Sequence, residues 1–155
     1  MIEELVRRVE NKKILLLGVG NRLRGDEGLG CFLVNRLKDK VHIPLIDGGN
    51  LPEKHLGLLE ATRPDLVLVV VAADVPETAP GDITLIDLDQ LQLMKVKTRS
   101  VDLTLLFQFI PQKSRPEVLL IAVQPDREMP ERKGVSDAVR IALDGLETLF
   151  VELFK

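Results

Sequence analysis

Tryptophan and tyrosine are absent from this 155-residue chain; phenylalanine occurs five times, histidine twice and cysteine once. Each scarcity narrows the field. Without tyrosine or tryptophan there is little from which to build a stacking platform for nucleic-acid bases. The single cysteine, Cys31, excludes a disulfide framework and any cysteine-built zinc or iron–sulfur site within one chain. Long apolar runs are missing too: the longest, Leu66 to Ala73, has eight residues, against the ~20 a membrane-spanning helix needs. The opening segment, MIEELVRRVE, mixes charges and lacks the apolar centre of a secretory signal. The expectation is a soluble, cytoplasmic protein with no membrane partner. No charge sign dominates, with 21 basic against 24 acidic residues. The basic ones are scattered and offer no basic face for nucleic acid.

What is present suits a single domain, residues 1–155, long enough to bury a proper core. Ile2, Leu5, Val6 and Val9 share one face of an opening helix. Lys13–Gly18 is a short apolar run ending in glycine, the pattern of a strand buried on both faces. Leu29, Leu33 and Leu37 place a helix over 28–38. A second strand is expected over Val41–Asp47, a helix over Pro52–Glu60, and a chain break at Arg63-Pro64. The segment DLVLVVVA is apolar throughout and rich in β-branched residues, so it predicts a central third strand. Asp82–Asp87 alternates polar and apolar, as an edge strand does, and is expected to run antiparallel. Leu103, Leu106, Phe107 and Ile110 form another helical face, and Glu117–Val123 another buried strand. Ser136 can cap a last helix that turns Val139, Leu143, Leu146, Phe150 and Leu153 inward.

Strands alternating with helices predict a three-layer α/β sandwich: a twisted, mostly parallel sheet with helices on both faces. In such folds ligands bind beyond the carboxyl ends of the strands. That selects the loops Val19–Glu27, Gly48–Glu53, Asp74–Pro80 and Gln124–Lys133. Their acids, with Asp47 beside the second, include Asp26, Glu27, Asp47, Glu53, Asp74, Glu77 and Asp126, so the site is expected to be acidic.

The first of these loops is glycine-rich, and two phosphate-binding readings compete for it. A dinucleotide fingerprint needs a third glycine at position 23, where Leu23 should block close helix–strand packing. A phosphate loop through Gly20 and Gly25 needs lysine and serine or threonine next, where Asp26 and Glu27 stand. Two carboxylates at a helix mouth repel phosphate and suit a cation. They also suit helix capping, the simpler role for such a pair. A nucleotide-binding α/β domain therefore ranks behind the readings that follow.

Taken together, GVGNRLRGDEGLG after the first strand, IDGGNLPEKHL at 46–56, Arg63-Pro64, PGDITLID at 80–87, and IAVQPD at 121–126 with Pro130 behind it are more specific than any one motif. In that order, over nearly the whole chain, they resemble the hydrogenase maturation endopeptidases, which process the large subunit of nickel–iron hydrogenases. The resemblance implies a twisted mixed sheet and a peptidase that removes a C-terminal peptide from a nickel-loaded precursor. The nickel belongs to that precursor, and no cofactor of the protein's own is expected. The resemblance also implies three residues that recognise nickel: an acid after strand one, an aspartate ending strand three, and a histidine before the next helix. Glu27 matches the first. The aspartate position falls on Val71 and the histidine position on Ser100, and no histidine follows His55.

Valine offers no ligand atom, and a serine hydroxyl does not replace imidazole for nickel. Metal candidates are therefore Glu27 and Asp74, with Asp102 a further acid in the region. Asp26, Asp47, Gly48 and Gly49 are the candidate substrate contacts. Asp74 reads equally well as a loop-capping acid, and Asp102 better as a first-turn helix acid. His42 reads as a strand residue, His55 as a solvated helix residue, and Cys31 as a buried structural thiol. Glu27 is expected to be partly accessible and to face the loop beginning at Asp74, since both follow parallel strands. The loss of the expected aspartate and histidine argues for weak or absent cleavage, and a homologue that binds the precursor without cleaving it is the rival to the peptidase.

Overall fold

The computed structural model describes residues 1–108, 112–128 and 134–155. Ile110, Pro130, the Leu106 side chain and residues 129–133 of the fourth expected loop lie outside the described set. Five strands form one sheet: β1 (Ile14–Val19), β2 (Leu45–Gly49), β3 (Leu66–Ala72), β4 (Ile83–Asp87) and β5 (Glu117–Val123). Their spatial order is β2-β1-β3-β5-β4. All neighbours pair parallel except β4, which runs antiparallel to β5 at one edge. β3 lies in the middle with every residue buried, as an unbroken apolar strand must when helices cover both faces.

Alternation along each strand sorts the core into two layers. Ile14, Leu16, Leu66, Leu68, Val70, Leu119 and Ile121 face one side. There they meet α1 (Ile2–Val9), α2 (Leu29–Leu37) and α5 (Asp137–Phe154). Leu15, Leu17, Val67, Val69, Val71, Val118 and Leu120 face the other, against α3 (Leu56–Thr62) and α4 (Leu103–Gln108). The result is the three-layer α/β sandwich.

Several boundaries differ from the expected ones. β2 starts at Leu45 rather than Val41. Pro44 has no N–H to give a ladder, and the His42 N–H instead donates to the Phe154 carbonyl at 2.7 Å. His42 is therefore an exposed residue tied to the end of α5, not a strand residue. The helix expected from Pro52 begins as a 3-10 turn over Pro52–His55 before α3. In α1 only Leu5 is fully buried, with Val9 packed at the core margin, because a two-turn helix on the sheet rim covers one residue well. At the end of α5 Phe154 is the buried residue and Leu153 sits at the margin.

The chain's route fixes where a site can form. From β1 it crosses through α2 on one face to β2, then through α3 on the other face to β3. The carboxyl ends of β1 and β3 are therefore neighbours whose following loops diverge, and a crevice opens between them.

α2 reaches this crevice because its first turn lies almost on the sheet. A Cβ on Gly30 would fall 2.2 Å from the Val70 carbonyl oxygen, and one on Gly18 2.2 Å from that of Gly30. These glycines, not position 23, provide the close helix–strand approach. Leu23 is 92% exposed. The extra 3-10 turn over Gly25–Gly28 carries the chain outward before α2, so Leu23 obstructs nothing.

Candidate functional site

Glu27 lies in the 3-10 turn Gly25–Gly28, just beyond β1. Asp74 lies two residues beyond β3, and Arg127 four beyond β5. Three parallel strands thus deliver these residues to the same end of the sheet. The Arg127 guanidinium sits between the two acids. Its Nε and Nη2 donate to the two Asp74 oxygens at 2.8 and 2.9 Å, and its Nη1 donates to Glu27 Oε2 at 3.0 Å. The other Glu27 oxygen accepts from the Ser100 hydroxyl at 3.2 Å.

The neighbouring loops hold this arrangement. Asp74 and Lys97 exchange backbone hydrogen bonds of 2.8 and 3.1 Å, which brings the segment containing Arg99 and Ser100 over the end of β3. Arg99 Nε lies 3.4 Å from Asp74 Oδ2. Gln124 accepts from the Val75 N–H and donates to Asp74 Oδ1, fixing the start of the loop that carries Arg127. The next anchor is Asp26, which accepts from the Asp126 N–H at 2.9 Å, the Ser136 N–H at 2.6 Å and the Ser136 hydroxyl at 2.8 Å. Asp26 is buried, and its carboxylate joins the first loop to the start of α5. It is a structural tie, not an open substrate contact.

Glu27 and Asp74 do face one another across this crevice, through Arg127. Glu27, however, is only 6% exposed, so its expected accessibility is corrected. Arg127 and Ser100 cover it. The expected acidity of the site is also offset, because arginines come with the acids: Arg127 and Arg99 at Asp74, and Arg22 in an ion pair with Asp47. Burial opposes ionisation of Asp74, but the hydrogen bonds and charge of Arg127, with help from Gln124 and Arg99, outweigh it and hold the carboxyl below its usual range. The Arg127 guanidinium is disfavoured by burial and more strongly favoured by Asp74 and Glu27, so it stays protonated.

The remaining residues separate clearly. Val71, where the family resemblance puts an aspartate, points into the apolar layer under α3 and α4. Ser100, where it puts a histidine, is at the site. Asp102 accepts from the Leu105 N–H at 3.0 Å and caps α4. Gly48 is packed under Leu17 and Pro52, and Gly49 takes the left-handed conformation with φ 56°. Glu53 and Glu77 are exposed. His55 lies at the 3-10 turn after β2. Cys31 is buried, 3.8 Å from the Gly20 carbonyl oxygen, and burial raises its thiol pKa. Among the described residues no three His, Cys, Asp or Glu side chains cluster as a metal site would require. A cavity of about 340 Å³ lined by Thr98, Arg99, Ser100, Val101 and Asp102 opens beside the site. A larger one, about 890 Å³, lies at the opposite end of the sheet, around Lys12, Arg63 and Glu117, away from this chemistry. No described helix is long and apolar enough to cross a membrane.

Residues 31–152 match the model of the hydrogenase maturation protease family. The chain belongs to this family. The Hydrogenase 3 maturation protease of Escherichia coli is 31% identical over 86% of this chain and 88% of its own length. The hydrogenase expression/formation protein HoxM of Azotobacter vinelandii is 31% identical over 86% of this chain and 72% of its own. Among solved structures, the NiFe hydrogenase maturation protease HycI from Thermococcus kodakarensis superposes with a TM-score of 0.82. It is 26% identical, with 97% of each chain covered.

Arg127, Arg99 and Gln124 are the members of the site that reading acids alone misses. Their signal is present in the sequence: each lies in, or folds against, a loop at a strand's carboxyl end. A buried acid in such a loop calls for a cation or several hydrogen-bond donors nearby.

Proposed function

We propose that this protein is a maturation endopeptidase for the large-subunit precursor of a nickel–iron hydrogenase, and that the crevice between β1 and β3 receives that precursor. The observation that carries this reading is the meeting of Glu27, Ser100 and Asp74 at the carboxyl ends of β1 and β3 in a chain whose family membership spans residues 31–152. Glu27 and Asp74 are proposed to meet the nickel ion of the precursor, which enters as part of the substrate. Asp47, Gly48 and Gly49 are proposed to border the bound peptide. The protein needs no cofactor of its own in this scheme. The glycine-rich first loop is a poor phosphate site by comparison, because its 3-10 turn is occupied by two buried carboxylates.

One observation favours a second reading, in which the precursor is bound and not cut. Val71 is in the core and Ser100 is not an imidazole, so Glu27 and Asp74 lack the third strong ligand a nickel ion wants. Incubation with nickel-loaded precursor, followed by intact-mass measurement of the large subunit, separates the two. Loss of a C-terminal peptide is the expected result. A stable complex with an uncut precursor would replace the peptidase by the binding protein, and neither complex nor cleavage would overturn both.

A further inference from the structure

The site's two acids already have a cation, and it is covalently part of the chain. Arg127 uses all three guanidinium nitrogens on them, a fork on Asp74 and a single bond to Glu27. A planar guanidinium with its donors in a fixed fork matches two carboxylates approaching from different edges, which an ammonium cannot do. The Glu27 oxygen not held by Arg127 is taken by Ser100, and both Asp74 oxygens have a second neighbour, Gln124 on one and Arg99 on the other. Glu27 is buried and Asp74 and Arg127 are half-buried, so their attraction is less screened by water than at the surface. Counted over Glu27, Asp74, Arg99 and Arg127, two negative charges meet two positive ones.

We propose that Arg127 is a specificity-determining residue that closes this site to free divalent ions by occupying the place between Glu27 and Asp74. A divalent ion arriving from solution must displace a paired guanidinium and leave it half-buried without those partners, in addition to shedding its own water. Two carboxylates without a nitrogen ligand do not supply enough to drive that exchange. Removing Arg127 has the opposite effect. It leaves two converging carboxylates uncompensated, and their mutual repulsion is relieved by taking up a divalent cation. This inference concerns the free protein and holds whether or not the precursor is cleaved.

The test is a nickel chloride titration of the full chain by calorimetry. The parent is expected to show no binding that depends on Glu27. Arg127→Ala is expected to bind one ion at least tenfold more tightly than the parent, and Arg127→Ala with Glu27→Gln to return to the parent level. Methylguanidinium should refill the gap in Arg127→Ala and weaken its nickel binding. A purely structural arginine would give none of this, since its loss loosens the fold without creating a cation site. If repulsion between the acids unfolds Arg127→Ala, Arg127→Gln, which keeps a side-chain amide there, serves in its place, with circular dichroism confirming the fold. One-to-one nickel binding by the parent that vanishes in Glu27→Gln would overturn the proposal. So would a folded Arg127→Ala or Arg127→Gln that binds nickel no better than the parent. Should neither variant fold, the parent titration decides alone: binding that Glu27→Gln abolishes overturns the proposal, and its absence supports it.

Discussion

Asp26 shows how much a single side chain carries in this protein. Its buried carboxylate accepts three hydrogen bonds, two from Ser136 and one from the Asp126 backbone. Replacing it by alanine leaves the two Ser136 donors buried and unmet, and the part-buried Asp126 N–H without its partner. Asp26→Ala should therefore cost about 2–4 kcal/mol, measured as a lower urea midpoint with little change in slope. Asp74 supplies a pH dependence instead. Its pKa is lower folded than unfolded, so the folded state binds fewer protons and stability rises with pH across that interval. The contribution is complete above the ordinary aspartate value, near 3.9, and disappears as pH falls through the lower folded-state value. Asp74→Asn should flatten the acid limb of stability against pH, read as thermal midpoints between about pH 2 and 6. An unchanged acid limb would show that the Arg127 pair contributes nothing net. At this scale the sequence disclosed positions better than partners. Glu27 and Asp74 were legible because strand ends are legible. That one arginine joins them was not, because Arg127 is separated from Glu27 by 100 residues and its side chain has many places to reach.

The elements were legible where periodicity is strong. β3 and β5 read directly as buried strands, and the alternation in Ile83–Asp87 read correctly as an antiparallel edge. The misreadings came from local chemistry that periodicity does not see. Pro44 delays β2, and the 3-10 turns at Gly25 and Pro52 shift the starts of the helices behind them. The contact between α2 and the sheet was legible only as glycines, with no hint of which would be tight. Gly30→Ala must displace the helix from the Val70 and Val19 carbonyls. It is expected to cost about 3 kcal/mol or more, at the upper end of overpacking effects. Gly145, in the exposed middle of α5, has nothing within 4 Å of an added Cβ. Gly145→Ala should instead stabilise by about 0.5–1 kcal/mol, because alanine loses less backbone freedom on entering a helix. The pair, measured by chemical denaturation in one background, tests the packing against the propensity. A similar small effect from both would mean that α2 can shift on the sheet at little cost.

At the scale of the molecule, the two ends of the sheet do different work. At the amino end, Arg8 bonds both Asp87 and Glu117, and Lys12 bonds Glu117, tying α1 to the edge formed by β4 and β5. At the carboxyl end the loops after β1, β3 and β5 meet through Arg127. If the carboxyl end receives the precursor, a large exposed apolar side chain there has a use that the fold itself does not give it. Leu23, more exposed than Leu51 after β2, is such a side chain. It sits on the loop that leads to Glu27, and its exposure shows that it contributes almost nothing to the core. A charge at this position should spare the fold and weaken the complex, since an apolar side chain buried at an interface loses its contribution when it becomes a hydrated carboxylate. Leu58, on α3 as that helix runs toward the amino end, is also exposed and serves as the control. Leu23→Asp is expected to lower the affinity for the large-subunit precursor about tenfold or more, a loss of about 1.4 kcal/mol, with the thermal midpoint unchanged. Leu58→Asp should alter neither quantity. Equal losses from both substitutions would mean that the precursor docks across the α3 face rather than at the strand ends. No loss from Leu23→Asp would move the docking surface away from the loop that carries Glu27.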